Sequence, residues 1–231
     1  MKSEKERIKK LESLARKLSI KINNLQIFNQ ALIHSSYAHE QKESIGYNEK
    51  LEFLGDAVLN LVTSEYLYQK FPEANEGILS KLRARIVSEP VLSMNARQMD
   101  IGQYLLLGRG EDSTGGRDRD SILANTFEAI IGAIYLDSGL DEAYKFIIEH
   151  MESEMNACNI SDYKSQLQEY TQVKIKKIPV YRVVDEIGPE HEKIFDVELL
   201  IDNVVCGRGK GRSKKQAEQL AAQMALEKIK I

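Results

Sequence analysis

The chain contains few residues that could cross-link it. Only two cysteines, Cys158 and Cys206, occur in 231 residues, far apart and with no CxxC or Cys/His spacing, which excludes a disulfide framework and a structural zinc site. No apolar run is long enough to span a bilayer. The longest, Ala129 to Leu136, falls well short, and the N-terminal MKSEKERIKKLESLARKL lacks the apolar centre of a signal peptide. A reducing cytoplasmic setting and no membrane role are therefore expected. The four histidines include none placed as an obvious general base. A net positive charge is missing as well: the balance is −3, which argues against indiscriminate nucleic-acid binding.

What is present is an ordinary globular composition, 42% hydrophobic and 29% charged, with charge divided unevenly along the chain. Residues from Asp162 onward carry 13 Lys and Arg against 11 Asp and Glu, a balance of +2. The first 161 carry 19 against 24, a balance of −5. The two halves have different electrostatic roles.

Periodicity divides the chain at the same place. To about residue 155 apolar residues recur at helical spacing, with breaks at Phe71-Pro72, Ser88-Glu89-Pro90, Gly102 and GRGEDSTGGRDRD. After NACNISD the pattern predicts a short helix over Tyr163 to Gln172 and a strand over Val180 to Glu186. A Gly188-Pro189 turn leads to the alternating strand KIFDVELLID, then to Val204 to Cys206 and the glycine- and base-rich GRGKGRS. The last helix carries a stripe of Ala217, Leu220, Ala221, Met224 and Ala225, and Ser213 with Gln216 forms a capping box at its start. The small alanines suggest a helix lying close on a sheet. The expected organisation is an all-helical domain over 1–157, a linker over 158–162 and an α-β-β-β-α domain over 163–231.

The informative stretch is NEKLEFLGDAVLNLV. On a helix Glu49, Glu52 and Asp56 fall within a sector of about 60°, opposite Leu51, Leu54, Val58 and Leu61. No base stands one turn on to neutralise them, and like charges at this spacing repel. A solvated face complementing the helix dipole explains Glu49 and Glu52 better than Asp56. A second anomaly lies in SILANTFEAIIGAIYL, apolar almost all round yet carrying Glu128, with Asn125 one turn before it. A buried unpaired carboxylate is costly, so Glu128 needs a distant arginine such as Arg83 or Arg85, a raised pKa, or a cation. If the two helices pack together, Glu52, Asp56, Glu128 and the Asn125 amide oxygen form an all-oxygen set suited to Mg²⁺ or Mn²⁺.

These stretches carry a resemblance. NEKLEFLGDAVL resembles the signature of the ribonuclease III family, and ALIHSSYA, NEGILSKLRARIVS and SILANTFEAIIGAIYLDSG resemble its other blocks in the same order. SQLQEYTQ, PVYRVV, GPEHEKIFDVEL and GRGKGRSKKQAEQLAAQMAL are similar to a double-stranded RNA-binding domain. The resemblance covers nearly the whole chain and implies the simple bacterial enzyme. That is an all-α endonuclease domain and a double-stranded RNA-binding domain, cleaving duplex RNA to 5′-phosphate and 3′-hydroxyl ends with short 3′ overhangs in processing of structured precursors, rRNA and mRNA among them.

It further implies Glu52, Asp56, Asn125 and Glu128 as metal ligands for Mg²⁺, with Mn²⁺ as substitute and no small-molecule cofactor, and Glu49 and Glu76 beside the cleavage site. RNA contacts would come from Ser165, Gln168, Glu169, Gln172, His191, Lys210, Ser213, Lys214 and Lys215. Phe53 would insert into the partner of a homodimer, though its spacing fits an ordinary core residue equally well. The bases Arg208, Lys210, Arg212, Lys214 and Lys215 occupy eight residues without an acid, with glycines expected to let phosphates approach the backbone. Lys214 and Lys215 stand at the positive end of the last helix.

Asn125 departs from the family pattern, which has aspartate there. Its neutral oxygen can still ligate, at the loss of one negative charge. It is a natural variant with full activity, a weakened site needing more Mg²⁺ or preferring Mn²⁺, or an introduced substitution. A duplex-RNA-binding protein whose helical domain only dimerises is the alternative reading, and an unrelated metal phosphohydrolase fused to an RNA module is a third.

Overall fold

The computed structural model describes residues 2–41, 45–157, 163–188 and 193–229. The chain divides into two compact units, Met1–Cys158 and Asn159–Ile231. The expected linker, 158–162, and His191 lie outside the described residues.

The first unit is helical, as the 3.6-residue periodicity predicts: α1 (Lys2–Lys17), α2 (Leu25–Ala31), α3 (Ser35–Glu40), α4 (Glu49–Lys70), α5 (Glu76–Ile86), α6 (Glu89–Gln98), α7 (Arg109–Ser113), α8 (Asp120–Ser138) and α9 (Leu140–Ala157). The breaks read from the sequence end helices where they were expected. α4 stops at Phe71 before Pro72, Pro90 sits in the first turn of α6, and Gly139, at φ +87°, follows α8. α8 runs through the centre, with Ile122, Leu123, Phe127, Ile130, Ile131 and Ile134 all buried, which is why its sequence is apolar on nearly every side.

α4 packs along α8 at glycine. A methyl group built on Gly55 would stand 1.8 Å from the Glu128 carbonyl oxygen, and one on Gly132 would stand 2.2 Å from that of Leu51. The two backbones touch where only hydrogen fits.

In the second unit α10 (Tyr163–Lys174), β1 (Val180–Ile187), β2 (Ile194–Ile201), β3 (Val204–Gly211) and α11 (Lys214–Ile229) follow in that order. The sheet is antiparallel with β2 in the middle. Asp202 and Asn203, at φ +53° and +64°, make the tight turn from β2 to β3, the two-positive-φ geometry that matches strand twist. Leu167, Leu199, Ile201, Ala221, Ala222, Ala225 and Leu226 form the core between sheet and helices. The fold class expected from the sequence, an all-α domain followed by α-β-β-β-α, is the one found.

Two local expectations need correction. GRGKG is not a phosphate-approach loop but the second half of β3. Methyls on Gly207, Gly209 and Gly211 would stand 2.1 Å from the Ala221 carbonyl oxygen, 2.3 Å from that of Ala217 and 2.8 Å from the Ala217 nitrogen. Glycine is a poor strand former, but here its lack of a side chain admits α11. The buried face of α11 is also rotated from the expected stripe. Ala217, Ala221 and Ala225 are buried with Ala222 and Leu226, while Leu220 and Met224 are exposed. Leu226 thus takes the inward place that periodicity gave to Leu220 and Met224.

Candidate functional site

The glycine contact positions the acids. Because Gly55 abuts the backbone of Glu128, the residues flanking it on the same face of α4, Glu52 and Asp56, lie beside the Glu128 side chain. Glu52, Glu128 and Asn125 are half-buried, and Asp56 and Glu49 are exposed. Burial, then the negative charge of Asp56, then that of Glu52, pushes the Glu128 carboxyl up to about 7. Burial, Glu49 and Asp56 push Glu52 up as well. The four carboxylates therefore share one electrostatic environment.

No arginine among the described residues answers them. Among the described residues no basic side chain forms an ion pair with any of the four, and Arg83, named above as a candidate for Glu128, instead donates from Nη1 to Ser64 Oγ at 2.9 Å. The oxygen-only donor set and its unbalanced charge suit a hard divalent cation. As they stand, no three His, Cys, Asp or Glu side chains among the described residues form a group that could share an ion.

Other expected site residues are placed as follows. Glu76 opens α5, where Asn75 Oδ1 caps the helix by accepting from the Ile78 nitrogen at 3.0 Å. It is exposed, accepts from Ser80 Oγ at 2.7 Å, and is not among the charges acting on Glu52 or Glu128. Phe53, on α4 between the acids, is 79% exposed. That excludes the core role its spacing allowed. Further along α4 Leu61 and Tyr68 are also exposed, and with Phe71, Leu79 and Arg83 they line a groove of about 720 Å³ that Glu76 borders.

The second unit presents two sets of polar groups. On α10, Leu167 and Thr171 turn inward while Gln168, Glu169 and Gln172 are exposed and Ser165 is half-buried. At α11 Ser213 Oγ accepts from the Gln216 nitrogen at 3.2 Å. Gln216 reaches back to the nitrogen of Arg212 at 2.9 Å, one residue earlier than the capping box predicted. Lys214 and Lys215 stand exposed in the first turn. Lys214 Nζ lies 3.3 Å from Glu186 and over the Phe195 ring.

Lys210 is not brought to this group. Since Gly209 and Gly211 face α11, Lys210 and Arg208 point to the opposite side of the sheet. There both pair with Asp196, at 3.2 and 2.9 Å. Asp196 is inaccessible because these two long side chains lie over it, not because it is deep in the core. The Arg208 guanidinium holds its carboxyl below the usual range.

Sequence reasoning missed Asn60, whose amide is hydrogen-bonded to Asp56. The i, i+4 spacing of Asp56 and Asn60 was the available signal. It also missed Gly55 and Gly132, single glycines within otherwise apolar helices.

Comparison with known proteins accords with this architecture. A family described as Ribonuclease-III-like matches residues 24–155, and the double-stranded RNA binding motif matches residues 163–229. Ribonuclease 3 of Natranaerobius thermophilus is 49% identical over 219 residues, covering 94% of this chain and 95% of that protein. Ribonuclease 3 of Borreliella afzelii is 48% identical over 225 residues, 96% of this chain and 92% of the other. A crystal structure of the nuclease domain of ribonuclease III from Campylobacter jejuni superposes with a TM-score of 0.58 at 38% identity, over 64% of this chain and 97% of that one. A second structure of that domain, at 39% identity over 62% of this chain and 97% of its own, also has a TM-score of 0.58 and is described as flexible in a region involved in dimer formation. The matched segments span both units, and the chain belongs to the ribonuclease III family.

Proposed function

We propose that the protein is a divalent-metal-dependent endoribonuclease that cuts both strands of duplex RNA, leaving 5′-phosphate and 3′-hydroxyl ends with short 3′ overhangs. Processing of structured precursors, ribosomal and messenger RNA among them, in the cytoplasm is the setting that fits. The observation that carries this reading is the set of base-free carboxylates, Glu52, Asp56 and Glu128, assembled across the α4–α8 glycine contact in a chain that also has an RNA-binding unit.

Glu52, Asp56, Glu128 and the Asn125 oxygen would hold Mg²⁺, or Mn²⁺ in its place. The bound ion would activate the attacking water and stabilise the departing 3′ oxygen. Around it the chain's own groups position the reaction. Glu128, near 7, sheds its proton on joining the site at neutral pH. Glu49 adds negative charge beside Glu52 and so strengthens the site's demand for a cation. Glu76 and the groove beside it lie on the face where a second chain would complete the site. The P–O3′ bond breaks, the water oxygen stays on phosphorus as the 5′-phosphate, and the 3′ oxygen takes up a proton.

Cutting two strands takes either two turnovers or two sites, and a two-fold homodimer would supply two sites. The supporting feature is Phe53, an aromatic ring left 79% exposed on the acid-bearing helix, with an apolar-lined groove further along the same helix to receive such a group. Duplex recognition falls to the α10 face, Ser165, Gln168, Glu169 and Gln172, reading 2′-hydroxyls across the minor groove. Ser213, Lys214 and Lys215 grip phosphate at the start of α11. Lys210, turned away and paired with Asp196, drops out of that set.

The test is incubation of an end-labelled duplex with the protein, with and without Mg²⁺, and sizing of the products. Staggered cuts only with metal are expected. Retention without cutting at any Mg²⁺ or Mn²⁺ concentration would leave the binding-only reading. Asn125→Asp restores a negative ligand and is expected to lower the Mg²⁺ needed for half-maximal cleavage. Replacing Lys214 and Lys215 together by Glu should weaken duplex binding by about 100-fold in 0.1 M salt. It should also flatten the log–log salt dependence by about two phosphate contacts, whatever the RNA sequence. Filter binding across a salt series measures both.

A further inference from the structure

Asp56 is the most exposed of the carboxylates expected to ligate, and it stands among like charges that favour its swinging away. One donor holds it. Asn60 Nδ2, one turn on in α4, donates to Asp56 Oδ1 at 2.7 Å and at the same time to the Asp56 carbonyl oxygen at 2.9 Å. With both bonds made from one nitrogen, the amide is fixed against the helix and takes up a single carboxylate oxygen, leaving Oδ2 unbonded among the described residues. The turn that carries Asn60 is fastened to α5 in its own right. Ser64 Oγ donates to the Asn60 carbonyl at 2.5 Å and accepts from Arg83 Nη1 at 2.9 Å.

We propose that Asn60 is a positioning residue for RNA cleavage: its amide restrains the Asp56 carboxylate so that the remaining oxygen is presented to the divalent cation. The inference rests on the function proposed above. Carboxylates that ligate metals are themselves held by hydrogen bonds, and loss of such a partner weakens the metal site without removing a ligand. The charge of Asp56 acts on both Glu128 and Glu52, so the carboxylate that Asn60 restrains belongs to the same acid cluster. A bond made only for helix stability would have no bearing on cation affinity.

The experiment uses the full chain and three proteins: the parent, Asn60→Leu, which keeps the approximate volume and loses the donor, and Asn60→Gln, which keeps a donor able to reach an aspartate four residues earlier. Calorimetric titration with MnCl₂ in the absence of RNA reads cation affinity directly, and duplex cleavage across a Mg²⁺ series reads it through activity. Asn60→Leu is expected to weaken Mn²⁺ binding about tenfold and to raise half-saturating Mg²⁺ by the same factor, with KM for duplex RNA at saturating metal unchanged. Asn60→Gln should recover most of the loss. Parent-like affinity in Asn60→Leu overturns the proposal, and so does equal weakening in both variants, which would assign the effect to packing. A parent that binds no divalent cation at all removes the metal-dependent function itself, and the positioning role with it.

Discussion

Glu128→Gln is expected to abolish cleavage while leaving duplex retention intact, and to stabilise the metal-free protein at pH 8. The substitution keeps the shape of the side chain and removes its charge. Loss of a ligating carboxylate should exceed the roughly 100-fold cost of losing an outer-shell partner, and the RNA-binding unit does not involve α8. The stability effect follows from the sign of the shift. The Glu128 carboxyl sits at about 7 rather than its usual 4.5, so the folded protein resists its ionisation. The stability it contributes is complete below pH 4.5 and is lost as pH rises through 7. Solvent reaches part of the side chain, so the cost of the charged form at pH 8 is discounted to about 1–2 kcal/mol. Glutamine escapes that cost. Metal-free parent protein should therefore melt higher near pH 5.5 than near pH 8 as far as this group is concerned, and Glu128→Gln should narrow the difference. Calorimetric scans at the two pH values, with chelator present, measure it.

Gly55→Ala carries the largest stability effect. The added methyl meets a backbone carbonyl oxygen at 1.8 Å, a contact no side-chain rotation relieves, so α4 must move off α8. Overpacking of this kind costs about 3 kcal/mol, enough to lower the melting temperature of a unit of this size by roughly 10 °C. The displacement also separates Glu52 and Asp56 from Glu128. Cleavage should fall further than stability alone explains, and extra Mn²⁺ should restore only part of it. Melting by circular dichroism, together with cleavage at a temperature where the variant remains folded, separates the two effects. Retention of the parent's melting temperature would mean that α4 and α8 are not in backbone contact.

The acidic face was legible because charge and helical period are both printed in the sequence: Glu49, Glu52 and Asp56 needed only a helical wheel. The role of α8 was legible for the opposite reason, since Glu128 stands out in an apolar run. What joined them was not. Gly55 and Gly132 look like weak points of two helices until a neighbouring backbone occupies the space that each leaves. The same blindness applied to GRGKG, where local propensity favours a loop and the close approach of α11 makes a strand. Lys210 followed from that error. In a loop its ammonium could face any direction, whereas in β3 strict alternation sends it to Asp196 on the far side of the sheet. Leu220 and Met224 were placed inward by the helical stripe, yet the side of α11 that meets the strand glycines is Ala217, Ala221 and Ala225, with Ala222 and Leu226. Phe53 shows the limit in the other direction. Its exposure is a fact of tertiary structure that periodicity could not supply.

Crystals of the protein grown with Mn²⁺ and measured at the manganese absorption edge test the central claim directly. An anomalous peak is expected between α4 and α8, about 2.0–2.2 Å from carboxylate oxygens of Glu52, Asp56 and Glu128. Manganese bound only elsewhere, with those carboxylates turned to solvent, would contradict it.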